Sequence, residues 1–252
     1  MKIITSTAHK SNLFKIEAFI ADFTKKGKIL ADGNRNQIKI FDLNGQSVAI
    51  KSFKIPNSVN KFAYRFLRKS KAQRSFEYAN KLIQNNILTP EPIAYAIEND
   101  GILFGKSYYI CEHLNCDLTY RDLVENEQYP DRLAILKAFT AFTFQLHEKG
   151  INFLDHSPGN TLIVKTENGY DFYLVDLNRM EFKPMDFDAR MKNFSRLTPK
   201  RDMVGIMGAE YSTLYGSDQE ETIAKMWEET EAFQLRLQKK QKLKKKLKFW
   251  KK

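Results

Sequence analysis

The chain has 252 residues, 42% of them hydrophobic and 19 of them Phe, which is enough apolar side chain to bury a core and too much for a disordered segment. The net charge of +11 is unevenly spread: ten Lys or Arg and no acid fall within residues 236–252, so the remainder is near neutral and a uniformly basic nucleic-acid-binding body is excluded. The N-terminus lacks the apolar stretch of a secretory signal and no uncharged apolar run reaches a membrane span; Cys111 and Cys116 have neither zinc nor redox spacing, so reduced thiols in the cytosol are expected.

Residues 1–27 are weakly patterned and are expected to form an N-terminal extension. Ile29-Leu30, Gln37 to Phe41 and Ser47 to Phe53 read as short strands, with turns at Asp32-Gly33-Asn34 and Leu43-Asn44-Gly45. An amphipathic helix is predicted over 70–86, with Phe76, Ala79, Leu82 and Ile83 on its apolar side. Thr89-Pro90-Glu91-Pro92 ends it, and strands follow near Ile93 to Ile97 and Ser107 to Cys111. From Leu118 the pattern turns helical: a short helix to Asn126, then a long one from Pro130 to Glu148 stopped by Gly150. A hairpin (Thr161 to Val164, Phe172 to Val175) turns at Asn168-Gly169, and further helices are predicted near 188–194, 200–214 and 218–248. The expected organisation is an extension (1–27), a strand-rich lobe (28–112), a mainly helical lobe (113–216) and a C-terminal helix with a basic tail (217–252).

The chemistry concentrates in a few places. Lys51 ends the strand Val48-Ala49-Ile50, where a cation can hold phosphates; the alternative is an edge-strand lysine. Glu77 is the only acid between 54 and 90 and is expected to pair with Lys51 from the helix. The loop between the first two strands has one Gly rather than three, so Arg35 is a candidate to supply phosphate-facing charge in place of backbone amides, with a solvated turn arginine as the alternative. Asp155 and Asn160 lie five residues apart in Asp155-His156-Ser157-Pro158-Gly159-Asn160, after a long helix, and Asp176 closes the next hairpin. One carboxylate facing a hydroxyl nucleophile, with an amide and a second carboxylate for Mg²⁺, is the arrangement of a phosphoryl-transfer loop. His147 and His156 read as packing and loop-orienting residues, with catalysis as the alternative. In the tail, Leu243, Leu247 and Trp250 fall at i, i+4, i+7 among lysines, which suits an anionic membrane surface; a solvated helix and a nucleic-acid patch are the alternatives.

Lys51-Ser52-Phe53, Ser70 to Ala79, Thr89 to Pro92, Leu146 to Ile151, Asp155 to Asn160 and Asp176 to Met180 resemble the lipopolysaccharide kinase family, which includes Kdo and heptose kinases. The resemblance covers roughly 28–215. It implies an α+β, protein-kinase-like bilobal fold, with an N-terminal antiparallel sheet carrying one helix and a mainly helical C-terminal lobe. It also implies ATP-dependent phosphorylation of a sugar hydroxyl on a lipopolysaccharide precursor, at the cytoplasmic face of the inner membrane. Carried over by residue, Lys51 matches the ATP lysine, Glu77 its helix partner, Asp155 the catalytic Asp, and Asn160 and Asp176 the Mg²⁺ ligands. Tyr109 to Leu114 match the hinge, with Glu112 and Leu114 holding adenine through backbone groups. The chain departs from the pattern at Phe153, where a His is common, at Leu154 in place of Arg, and at Leu177-Asn178 in place of Phe-Gly.

The implied cofactors are ATP and Mg²⁺, and the implied partners are a glycolipid substrate and an anionic membrane surface, with no nucleic acid. A protein kinase is disfavoured because the stretch from Asp176 to Lys200 is short for peptide docking. A non-catalytic scaffold of the same fold is the alternative from another class. Arg179, Arg196 and Arg201 are candidates to meet acceptor phosphates or carboxylates.

Overall fold

The computed structural model describes residues 1–33, 36–55, 64, 68–100 and 103–249. The chain divides into two compact units, Met1–Asn115 with Leu174–Arg179, and Cys116–Tyr173 with Met180–Lys252.

The first unit is built on a six-stranded antiparallel sheet of order β1-β5-β6-β4-β3-β2. Its strands are β1 (Lys2–Thr5), β2 (Lys28–Asp32), β3 (Asn36–Leu43), β4 (Gln46–Phe53), β5 (Pro92–Asp100) and β6 (Leu103–Glu112). Alternation along β4 sends Val48 and Ile50 into the core and leaves Ala49 and Lys51 on the other face. Helix α1 (Leu13–Ala21) buries Ile16 and Ile20 in that core, together with Phe23, Phe41, Leu43, Tyr108 and Ile110.

Residues 1–27 are therefore not an extension. Strand β1 pairs with β5 at the sheet edge, and α1 closes one face of the core. The segment after α1 is fastened by Lys39, which is buried and donates from Nζ to the carbonyls of Phe23 at 2.6 Å and Lys26 at 3.0 Å. A buried ammonium satisfies itself there on backbone oxygens, a use that sequence periodicity does not signal.

Helix α2 (Lys71–Gln84) starts at Ser70, whose hydroxyl accepts from Gln73 N at 3.0 Å. Its buried face is Ala72, Ser75, Ala79 and Leu82, whereas Ile83, expected inside, is exposed. The apolar stripe is turned because α2 packs its small residues against β5 and β6, and Phe76 meets the Tyr95 ring with centroids 5.4 Å apart.

The second unit contains β7 (Leu118–Thr119), α3 (Tyr120–Glu125), α4 (Arg132–Glu148), β8 (Ile151–Phe153), β9 (Thr161–Thr166), β10 (Gly169–Leu174), β11 (Met180–Phe182), α5 (Phe187–Phe194), α6 (Arg201–Tyr215) and α7 (Gln219–Phe249). Helix α4 is central: Ile135, Leu136 and Phe139 are buried in one cluster with Tyr120, Phe172, Phe194, Met207 and Tyr211. Gly150, at φ +63°, ends the approach to β8, and a Cβ there would lie 2.9 Å from Lys183 O, so only Gly fits. Gly208 on α6 lets Ile223 of α7 pack directly onto the helix backbone. The first half of α7 is anchored by Met226, Thr222 and Thr230, all buried; from Leu235 to Lys246 every residue is exposed.

Candidate functional site

In the first unit, the segment Leu174–Arg179 is tied to the end of α2 and the start of β5. Leu174 N donates to Leu88 O at 3.0 Å, and Thr89 Oγ1 donates to Leu174 O at 2.8 Å. This fixes Asp176, which adopts a left-handed conformation at φ +59°. Asp tolerates that region better than most side chains, and such strain gathers at functional positions. Its Oδ1 accepts from Asn178 Nδ2 at 2.6 Å and pairs with Lys51 Nζ at 2.7 Å, both partners being largely shielded from solvent.

Glu77 does not hold Lys51. Its carboxylate pairs with Lys69 at 2.8 Å and accepts from Gln73 Nε2 at 2.9 Å. The expected Lys51–Glu77 pairing is corrected to Lys51–Asp176, because Asp176 presents its carboxylate to Lys51 while Lys69, just ahead of α2, satisfies Glu77. Lys71 opens α2 with further positive charge; burial first, then Arg179, hold its ammonium below the ordinary lysine range. Arg35 lies outside the described residues.

At the end of β6, Glu112 N donates to Glu91 O and His113 N to Ser47 O, both at 2.9 Å. No partner for Leu114 N is found among the described residues, which leaves a donor where adenine recognition is expected. Burial raises both the Cys111 and Cys116 thiols, Cys111 to about 12, so neither is a nucleophile at neutral pH; both are free.

In the second unit, Asp155 and Asn160 are brought together. Asn160 Nδ2 donates to Asp155 O at 2.8 Å and Asn160 N to Ser157 O at 2.9 Å, closing the turn. The amide oxygen of Asn160 is left for another partner. Asp155 Oδ1 pairs with Arg196 Nη2 at 2.8 Å, and Arg196 Nη1 donates to Leu154 O at 3.0 Å.

The loop is also clamped from α5. Asn193 Nδ2 donates to Phe153 O and Asn152 Oδ1, both at 2.9 Å, while its Oδ1 receives His156 Nδ1 at 3.0 Å and His147 Nε2 at 3.2 Å. His147 Nδ1 in turn accepts from Tyr211 Oη at 2.9 Å. Burial holds both imidazoles neutral, His147 down to about 3 and His156 to about 4. Both are thus the loop-orienting residues expected. Asn193 was missed by sequence reading; a lone Asn on a predicted helix gives no signal until its partners are known.

Asp176 in the first unit and Asn160 in the second each offer a hard oxygen of the kind Mg²⁺ takes, an ion that keeps few protein ligands and completes its shell with nucleotide phosphates and water. Among the described residues no group of three or more His, Cys, Asp or Glu could hold a metal ion.

The sequence profile of the lipopolysaccharide kinase (Kdo/WaaP) family matches residues 24–217. The chain belongs to that family. It is accordingly a phosphotransferase of the kinase class, and its α+β, kinase-like fold is the one expected. A solved structure of WaaP in complex with acyl carrier protein is similar, with a TM-score of 0.59 and 15% identity, covering 92% of this chain and 99% of that one. A Rio2 kinase–ADP/Mg²⁺–phosphoaspartate complex from Chaetomium thermophilum is similar at a TM-score of 0.48 and 16% identity, covering 88% and 70%. No curated protein matches.

Proposed function

We propose that this protein transfers the γ-phosphoryl group of ATP to a hydroxyl of Kdo or another core sugar on a lipopolysaccharide precursor. The observation that carries the reading is the closed Asp155–Asn160 turn in a chain of the lipopolysaccharide kinase family.

Lys51 holds the α- and β-phosphates once it exchanges Asp176 for them, and the backbone at Glu112 and Leu114 receives adenine. Asp155 orients the acceptor hydroxyl and takes its proton as the new O–P bond forms and the bond to the ADP oxygen breaks. Asp176 and Asn160 would be the ligands of Mg²⁺, which would supply neutralisation of charge on the transferring group. Only β11 and a short connection separate Asp176 from α5, which leaves little chain for docking a peptide and favours a small acceptor.

The same reading proposes the cytoplasmic face of the inner membrane as the place of this work. Among the described residues no helix is long and apolar enough to cross a membrane. Support for surface binding comes from α7, whose exposed Leu235 and Leu243 stand among Lys239, Lys240, Lys242, Lys244, Lys245 and Lys246. Trp250 and the side chain of Leu247 lie outside the described residues.

The test is to incubate the protein with Mg-ATP and a Kdo-bearing lipid A precursor and read product mass. One added phosphate, absent with Asp155→Ala, is expected; phosphorylation by Asp155→Ala at the wild-type rate sinks the mechanism. ATP binding with no product sends the search to heptose-containing acceptors.

A further inference from the structure

The carboxylate of a base on a tight turn has a broad terminal torsion, so its own backbone does not aim it. Among the described residues, the side-chain partner found for Asp155 is Arg196. The guanidinium grips two points at once, Oδ1 of Asp155 at 2.8 Å and the carbonyl of Leu154 at 3.0 Å. That fork joins the carboxylate to the main chain beside it, leaving Oδ2 for the acceptor hydroxyl.

Arg196 is itself firmly set. Phe194, Ser195, Leu197 and Thr198 around it are all buried, so its backbone has little freedom. Its guanidinium lies over the Phe233 ring of α7, 5.5 Å from the centroid, and its Nε is buried with no partner among the described residues. A flat cation stacked on an aromatic face is held in plane, which suits a fork that must meet two oxygens.

We infer that Arg196 and Phe233 form a positioning pair that aims the Asp155 carboxylate, so that the C-terminal helix contributes to phosphoryl transfer. The inference rests on Asp155 as the base. It gives Arg196 a role different from meeting an acceptor anion, because its two Nη groups are already engaged. Lysine cannot replace it, since an ammonium lacks the planar fork.

The test uses R196Q, R196K, F233A, the double variant R196Q/F233A and, as control, D155N, all in the full chain. With Mg-ATP and a Kdo-bearing lipid A precursor, R196Q is expected to lower kcat by about tenfold to a hundredfold, with KM for ATP unchanged. R196K keeps the charge but not the fork and also loses rate; it carries the kinetic test where R196Q does not fold. F233A loses less, and the double variant falls no further than R196Q, as coupled residues require. The crystal structures of R196K and F233A need no acceptor and are expected to show the Asp155 carboxylate turned from its place. An unmoved carboxylate in both, wild-type kcat in R196K, or fully multiplicative losses in the double variant overturns the inference. An active D155N instead removes the base itself, a failure distinct from an inactive D155N beside a fully active R196K.

Discussion

Lys51 and Asp176 are joined across 2.7 Å, although they stand 125 positions apart in the sequence and a nearer carboxylate, Glu77, was the expected partner. The Lys51 ammonium and the Asp176 carboxylate neutralise each other, which relieves the cost of leaving either charge half-buried alone. On the proposed mechanism, binding Mg-ATP exchanges that one ion pair for two sets of charged contacts. Lys51→Ala is expected to weaken Mg-ATP by about tenfold to a hundredfold, the loss of one charge-assisted contact worth about 1.5–3 kcal/mol. Glu77→Gln is expected to weaken it less, because Lys69 and Gln73 already engage that carboxylate. Asp176→Asn should bind ATP alike with magnesium and with EDTA. Calorimetric titration of the variants reads all three, and a Glu77→Gln loss equal to that of Lys51→Ala contradicts the pairing seen here.

The two buried histidines set an acid limit on stability. Unfolded, each titrates near 6.5; folded, His147 is lowered to about 3 and His156 to about 4. Between those values the unfolded chain binds more protons, so their stabilising contribution is complete above about pH 6.5 and is lost as pH falls. Each adds a slope of about 1.4 kcal/mol per pH unit inside the window. Urea unfolding at pH 7, 6 and 5 should show His147→Gln with a shallower slope than wild type by about that amount; parallel slopes refute the assignment.

Asn193 carries four hydrogen bonds to the elements around the catalytic turn. Asn193→Ala removes a donor from Phe153 O and Asn152 Oδ1, the acceptor of His156 Nδ1, and one of the two partners of His147, so a loss of about 3 kcal/mol is expected from the buried groups left unsatisfied. Chemical denaturation measures it. A change below 1 kcal/mol, on the order of an ordinary surface substitution, would show that water replaces the side chain without cost.

The N-terminal segment belongs to the first unit's core. Ile16 is fully buried against Phe41 and Val48 in one apolar cluster, so Ile16→Ala is expected to cost about 2–5 kcal/mol. Deleting residues 1–27 removes β1 and α1 together and should leave insoluble or protease-sensitive protein. A truncated chain with the wild-type melting temperature would make the segment dispensable.

Membrane attachment by α7 is expected to be electrostatic in large part. Each lysine near an anionic surface adds about 1 kcal/mol, screened by salt. Vesicles of phosphatidylglycerol and phosphatidylethanolamine should retain the protein at low salt and release it at high salt, whereas pure phosphatidylcholine should not retain it. Equal retention on both vesicle types, or none on either, argues for a solvated helix.

Most of the elements were legible in the sequence because they are local: the strand over Ser47 to Phe53, the helix over 70–86 and the stop at Gly150 after the long helix each rest on residues close together in the chain. Motif spacing likewise singled out Asp155, Asn160, Lys51 and Asp176, since a turn holds its residues at set offsets. Residues 1–27 looked unpatterned because a single edge strand and a short helix acquire a buried face only against the sheet.

Partner choice was decided only by the tertiary structure. Sequence listed the charges but not which meet: Lys51 goes to Asp176, Glu77 to Lys69, Asp155 to Arg196, and Asn193 gathers both histidines. A hydrogen bond or ion pair depends on side chains approaching within about 3 Å, and separation along the chain says nothing about that once the chain has folded. What the sequence by itself determined is the set of groups available for phosphoryl transfer and the elements that carry them. Which group restrains which is a property of packing.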